Sequence, residues 1–140
     1  MSARTRIADL CQLRKDTCSP HECTGVYVGL EHIDPGRFQL ARHGKPSDVR
    51  SSKARFYPGD VLYGKLRPYL DKAVVVQCQG ICSTDILVLE PINVPPWYLC
   101  GLLHTERFVE HAKQTTHGVN HPRTSWKGIS VFEAVAFAAP

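Results

Sequence analysis

Tyr57-Pro58-Gly59-Asp60-Val61-Leu62-Tyr63-Gly64-Lys65-Leu66-Arg67 is the stretch on which the fold reading turns. Pro presets φ, Gly tolerates positive φ, and Asp bonds back to its own backbone, so Pro58-Gly59-Asp60 is turn chemistry. The aliphatic and aromatic residues that follow suit a strand. Its last four residues alternate, placing Gly64 and Leu66 on one face and Lys65 and Arg67 on the other. Beyond Pro68-Tyr69-Leu70-Asp71, Lys72 leads into Ala73-Val74-Val75-Val76, and Asp85-Ile86-Leu87-Val88-Leu89 forms another run. Both are nearly continuous in apolar residues, as strands buried on two faces are.

Working outward, Val26-Tyr27-Val28-Gly29-Leu30 is β-prone and Asp34-Pro35-Gly36 is a turn signal. Residues 42–55 are polar and read as one long exposed loop, of the kind that often carries function. Pro95-Pro96 opens a helix with the stripe Tyr98, Leu99, Leu102, Leu103, Val109 and Ala112, and Gly118 is its expected stop. A shorter helix is expected over residues 6–13, with Ile7, Leu10 and Leu13 or Cys11 on one face. The fold class is α+β: a twisted, mostly antiparallel sheet of short strands with a few helices, one of them principal.

With 140 residues, 43% hydrophobic and 21% charged, the chain is expected to form one ordinary globular domain rather than a disordered one. Ten Gly and ten Pro argue against a helical bundle. No apolar run reaches the roughly 18–20 residues that cross a bilayer, and the N-terminus lacks a signal-peptide core. A cytoplasmic protein without a membrane partner is expected. Net charge is +4, but its placement is uneven. Arg42, Lys45, Arg50, Lys53, Arg55, Lys65, Arg67 and Lys72 face only Asp48, Asp60 and Asp71, so this stretch carries +5 and the remainder −1. Such a segment either solvates the domain or meets a polyanion.

Six cysteines raise a metal reading. Cys18 and Cys23 frame a C-x4-C with His21 inside, and Cys78 and Cys82 a C-x3-C, whereas zinc knuckles favour C-x2-C. Reduced thiols in a cytoplasm are the expectation. Cys100, His104 and His111 fall at helical spacing, yet no acidic orienting residue or nucleophile elbow accompanies them. Core packing with exposed imidazoles is the expected state. Asn93-Val94-Pro95-Pro96-Trp97 differs from the Asn-Pro-Pro-aromatic motif of amino-methyltransferases by its interrupting Val94. No phosphate-cradling Gly-rich loop is present.

What remains is a binding surface. Lys65, Arg67, Tyr69 and Lys72 join cations to an aromatic ring on a strand and the turn after it, and Lys45, Lys53 and Arg55 precede them. Ammonium and guanidinium groups neutralise phosphates while a strand fixes their spacing. His117, Arg123, Thr124, Ser125 and Trp126 offer a bidentate donor, two hydroxyls and an indole for base edges or phosphates. Core burial of Trp126, and an ion pair of Arg67 with Asp71 or Asp85, are the competing structural readings.

Four blocks resemble one family. Tyr27-Val28-Gly29-Leu30-Glu31-His32-Ile33, Phe56-Tyr57-Pro58-Gly59-Asp60 with its continuation to Leu70, Gly80-Ile81-Cys82-Ser83-Thr84-Asp85-Ile86-Leu87-Val88-Leu89 and Pro122-Arg123-Thr124-Ser125-Trp126 are similar, in order and spacing, to the target recognition domain of type I restriction–modification DNA specificity subunits. The resemblance covers residues 7–129. It implies the DNA methylase specificity-domain fold, no catalytic activity and no cofactor. It also implies double-stranded DNA as partner, with one half of a split target read for DNA adenine methyltransferase subunits and, in the larger complex, for a restriction and translocase subunit. On this reading residues 1–140 are a single target recognition domain, and residues 131–140 resemble the strand and Pro-marked exit before a spacer helix that the chain lacks. Phosphate anchoring falls to Lys53, Arg55, Lys65, Arg67 and Lys72, and base readout to residues 42–55 and 117–123. A module that has kept only protein contacts is the alternative.

Overall fold

The computed structural model describes residues 4–135. Two four-stranded sheets stack face to face, and helices cover the outer face of one. The first sheet holds Cys11–Leu13 (β2), Val61–Gly64 (β6), Ala73–Val75 (β7) and Ile86–Pro91 (β9), in the order β2-β9-β6-β7 and antiparallel throughout. The second holds Thr17–Cys18 (β3), Val26–Val28 (β4), Lys53–Phe56 (β5) and Gly80–Cys82 (β8), in the order β3-β5-β8-β4. Its β4–β8 pairing is parallel and its other two are antiparallel. A two-stranded ribbon joins Arg4–Arg6 (β1) to Glu133–Val135 (β10). The α+β class with short, mostly antiparallel strands is what the sequence led us to expect. Of the expected exit strand, β10 is described, whereas residues 136–140 lie outside the described residues.

Strand burial explains why β6 and β9 read as apolar runs. Leu62 and Val88 point into the inter-sheet core with Val28, Phe56, Val74 and Cys82. Their neighbours Val61, Tyr63, Leu87 and Leu89 point the other way, against helices Pro96–Leu103 (α2) and Glu106–Gln114 (α3). A period-2 strand between two apolar layers has no side left for polar residues. The turn before β6 is built as expected. Gly59 has φ +92°, and the buried Asp60 carboxylate accepts from the Tyr57 N–H at 2.9 Å. That carboxylate also receives Arg14 Nε at 2.8 Å and Nη2 at 3.0 Å, while Arg14 lies over the Tyr57 ring. The hydrogen bonds to Asp60 hold the Arg14 guanidinium further above its usual range.

Four expectations about elements need correction. The helix expected over residues 6–13 shrinks to Ile7–Leu10 (α1), because Arg4–Arg6 pairs with β10 and Cys11–Leu13 with β9. The principal helix is two helices. Thr105 accepts from the Phe108 N–H and caps α3, which breaks the chain after Leu103 and makes Phe108, not Val109, the buried anchor. The loop of residues 42–55 ends early: Lys53 and Arg55 belong to β5, and Pro46–Asp48 forms a 3-10 turn. Finally, β6 stops at Gly64, because Arg67 turns into the left-handed region (φ 50°) and Pro68 begins a 3-10 turn.

Candidate nucleic-acid interface

The strand register gives both sheets a common end. Gly64 pairs with Ile86 there and Tyr63 with Ala73, while Val28 and Ala54 both pair with Cys82. Residues 29–33, 65–72 and 83–85 connect strands at this end and are tied together by backbone bonds. Ser83 N–H donates to Val28 O at 3.0 Å and Lys65 N–H to Asp85 O at 2.9 Å. Gly64 is here for closeness rather than for φ. A Cβ on it would stand 2.9 Å from Leu30 Cδ2 and 3.3 Å from Lys72 Cβ.

Onto this end folds a segment far away in sequence. Leu66 bridges to Arg123, Thr124 N–H donates to Lys65 O at 3.0 Å, and Arg67 N–H donates to Pro122 O at 2.8 Å. Arg123 and His117 exchange two backbone bonds of 2.9 Å, closing a hairpin whose turn uses Gly118 at φ +105°. Two clusters some fifty residues apart in sequence thus become one surface carrying Lys65, Arg67, Tyr69, His117 and Arg123. Tyr69 is 53% exposed on the 3-10 turn Pro68–Leu70, and Val119 at the hairpin tip is 96% exposed. Arg67 Nη2 reaches Asn120 O at 3.4 Å.

Two of the acids at this end are already engaged. Asp85 takes Arg123 Nε at 2.6 Å, with Nη2 at 3.5 Å, and Asp71 takes His104 Nδ1 at 2.7 Å. The bond to Asp85 raises the affinity of Arg123 for its proton. Asp71 and Asp85 are the two acids the sequence offers Arg67 as ion-pair partners, and the structure gives each to another side chain. Among the described residues, Lys45, Lys53, Lys65, Arg67 and Lys72 form no ion pair with a carboxylate.

Several expected site residues are used otherwise. Lys72 turns inward, and its ammonium donates to Leu30 O at 2.8 Å. Thr124 is 3% exposed, and its hydroxyl meets that of Thr115 at 2.8 Å. Ser125 caps Trp126–Ser130 (α4) by accepting from the Gly128 N–H at 3.0 Å. The Thr124 hydroxyl is withdrawn from solvent, whereas Ser125 stays exposed while it caps the helix. Trp126 is half-buried against the helical core. In the second sheet, Lys53 lies at the common end and donates to Ser51 Oγ. Arg55, two residues on, reaches Cys18 Sγ at 3.3 Å. Lys45 has an exposed side chain beside Gly44, which bridges to Tyr27 of β4.

The helical series Cys100, His104 and His111 is a set of clips. Cys100 donates to Ala73 O, and His111 Nε2 meets Gly128 O at 2.8 Å. The His104 side chain is only 8% exposed, and Asp71 is the acidic partner that the sequence did not reveal. The six cysteines are free thiols. Among the described residues no three His, Cys, Asp or Glu side chains converge as a metal ion requires, and no helix is long and apolar enough to cross a membrane.

The fold is that of the specificity subunits of type I restriction–modification systems. The HsdS subunit from Thermoanaerobacter tengcongensis superposes with a TM-score of 0.73 at 19% identity, over 94% of this chain and 36% of that one. A chain from a structure on complex assembly and conformational transition of the type I R-M system gives 0.76, also at 19% identity, with the same coverage. In sequence, the chain is similar to the type I restriction enzyme EcoDI specificity subunit of Escherichia coli, 32% identical over 84 residues. That stretch is 59% of this chain and 18% of the relative, so the chain spans only a small part of the curated protein that it matches. No family model matches the chain.

Proposed function

We propose that this chain is a non-catalytic module that reads double-stranded DNA in a sequence-specific manner, recognising one half of a bipartite target. The observation that carries this reading is the joining of Lys65, Arg67 and Tyr69 to the His117–Arg123 hairpin at one end of the sheets, where Asp85 and Asp71 are engaged by Arg123 and His104. Lys65 and Arg67 anchor phosphates, with Lys53 at the same end of the second sheet. Tyr69 and the hairpin tip reach for the groove, with residues 42–52 as a second readout loop bearing Lys45. Arg55 is an outlying anchor two residues further along β5, on the same face as Lys53. Lys72 and Thr124 support this surface from within, and Ser125 supports it as the exposed cap of α4.

The resemblance to specificity subunits supplies the setting. The module would deliver its half-site to DNA adenine methyltransferase subunits and, through the full complex, to the restriction and translocase subunit, in the cytoplasm. Selection from random-sequence duplexes tests the reading. An enriched motif a few base pairs long is the expected outcome, and binding with no enrichment would contradict sequence-specific recognition. The protein-interaction alternative predicts no duplex binding even at low salt.

A further inference from the structure

Cys18 and Cys23 form a cluster that DNA recognition does not use. They flank the 3-10 turn Pro20–Glu22, which turns the chain back, and Cys23 packs with Val49 against the small cluster of Cys18, Tyr27 and Ile81. The Cys18 thiol is near enough to bear on the charge and hydrogen bonding of Cys23. Cys18 is buried and Cys23 half-buried. Arg55 Nη2 lies 3.3 Å from Cys18 Sγ, and the bonds to Tyr57 and Cys18 raise the affinity of that guanidinium for its proton. Arg55 also borders a cavity of about 230 Å³ with Thr24, Tyr57, Gln79 and Gly80. A thiol pair with one accessible member, and a fixed cation on the other, has the arrangement of a dithiol that cycles with a disulfide.

We propose that Cys18 and Cys23 are a reversible redox pair that closes to an intramolecular disulfide on reaction with a low-molecular-weight disulfide such as oxidised glutathione. The more accessible Cys23 thiolate attacks one glutathione sulfur, and the first glutathione leaves as thiolate. Cys18, its thiolate held by Arg55, then attacks the Cys23 sulfur of the mixed disulfide and expels the second. Two protein thiols lose two protons and two electrons, and one glutathione disulfide becomes two glutathiones. Burial, and next the Cys18 thiol, hold Cys23 above its ordinary value, so closure speeds up toward alkaline pH. The pair lies beside the proposed readout loop, since the turn Pro20–Glu22 packs on Pro46–Asp48. Its chemistry is nevertheless independent of DNA.

The test treats the folded protein, in a Cys78→Ser background that removes the exposed thiol, with oxidised glutathione, followed by peptide mapping. The expected result is a Cys18–Cys23 link, reversed by dithiothreitol, in protein that keeps its circular dichroism and melts at a higher temperature than the reduced form. Arg55→Gln should slow closure about threefold or more while leaving the link obtainable. Cys23→Ser should leave Cys18 unmodified. Persistent glutathione adducts without the link, a link that forms only after denaturation, or closure at an unchanged rate in Arg55→Gln would each overturn the proposal.

Discussion

Replacing Asp60 by Asn should cost this fold about 2–3 kcal/mol while sparing DNA binding by the folded fraction. The Asp60 side chain is 3% exposed and accepts from Arg14 Nε, Arg14 Nη2 and the Tyr57 N–H. An isosteric amide keeps one oxygen, which can hold the Tyr57 N–H and Nε as a neutral acceptor. Its NH2 group meets Nη2 donor to donor, so one charge-assisted bond worth about 1.5–3 kcal/mol is lost and another weakened. Arg14 escapes the full penalty of about 3–5 kcal/mol for an orphaned buried charge. It is 22% exposed and retains Glu90 Oε2 at 3.0 Å. For a chain of 140 residues this loss corresponds to a drop of about 7–10 °C in melting temperature. Thermal melts and urea titrations read it, with the urea m-value unchanged and little dependence on salt, because the pair is screened poorly where it sits. Asp60 lies at the opposite end of the sheets from Lys65, so the salt dependence of DNA binding should stay as in the parent. A melting shift under about 2 °C, or a changed salt slope, would refute the reasoning.

Three further outcomes follow from the same geometry. Thr124→Val should lower stability by about 1 kcal/mol through the lost hydroxyl pair with Thr115, and leave the salt slope of DNA binding unchanged. A reduced slope would return Thr124 to the contact surface. Gly64→Ala should cost about 1–3 kcal/mol by overpacking against Leu30 and Lys72, read as a lower urea midpoint. A neutral effect would show that this contact gives way. Burial pushes the thiols of Cys11, Cys82 and Cys100 up to about 12, whereas an unfolded chain releases those protons from about pH 8.5. The unfolded state then binds fewer protons, so stability should fall as pH rises from about 9 to 12, at up to about 1.4 kcal/mol per unit for each thiol. A urea midpoint independent of pH across 8–10 would contradict this burial.

The strands were legible where one physical rule dominates. Val61 to Gly64 and Ile86 to Leu89 are apolar on both faces because both faces are covered, and Pro58-Gly59-Asp60 encodes its turn in three side chains. Boundaries set by tertiary pairing were not legible. Ile7 to Leu13 has helical periodicity, yet the backbone at both its ends is claimed by distant strands. Thr105 was readable in principle as a cap, since Thr followed by Glu106 is an N-terminal signal, but the continuous apolar stripe masked it. In the candidate site, the residue types could be read but not their orientation. Nothing local to Lys72 says that its ammonium is taken by Leu30 O, or that Asp85 meets Arg123 across 38 residues. Thr124 and Ser125 look alike in sequence to hydroxyls offered to DNA. Only the fold reveals one inside the core and the other spent on a helix cap.

The salt dependence of duplex binding by the Lys65→Ala, Arg67→Ala double variant tests the central claim most directly. Each phosphate contact contributes about 0.9 to the slope of log affinity against log salt. The account therefore predicts a slope shallower by about 2 units than that of the parent protein, in a variant that melts within a few degrees of it. A double variant that folds normally and keeps the parent slope would show that this end of the sheets does not meet the phosphate backbone.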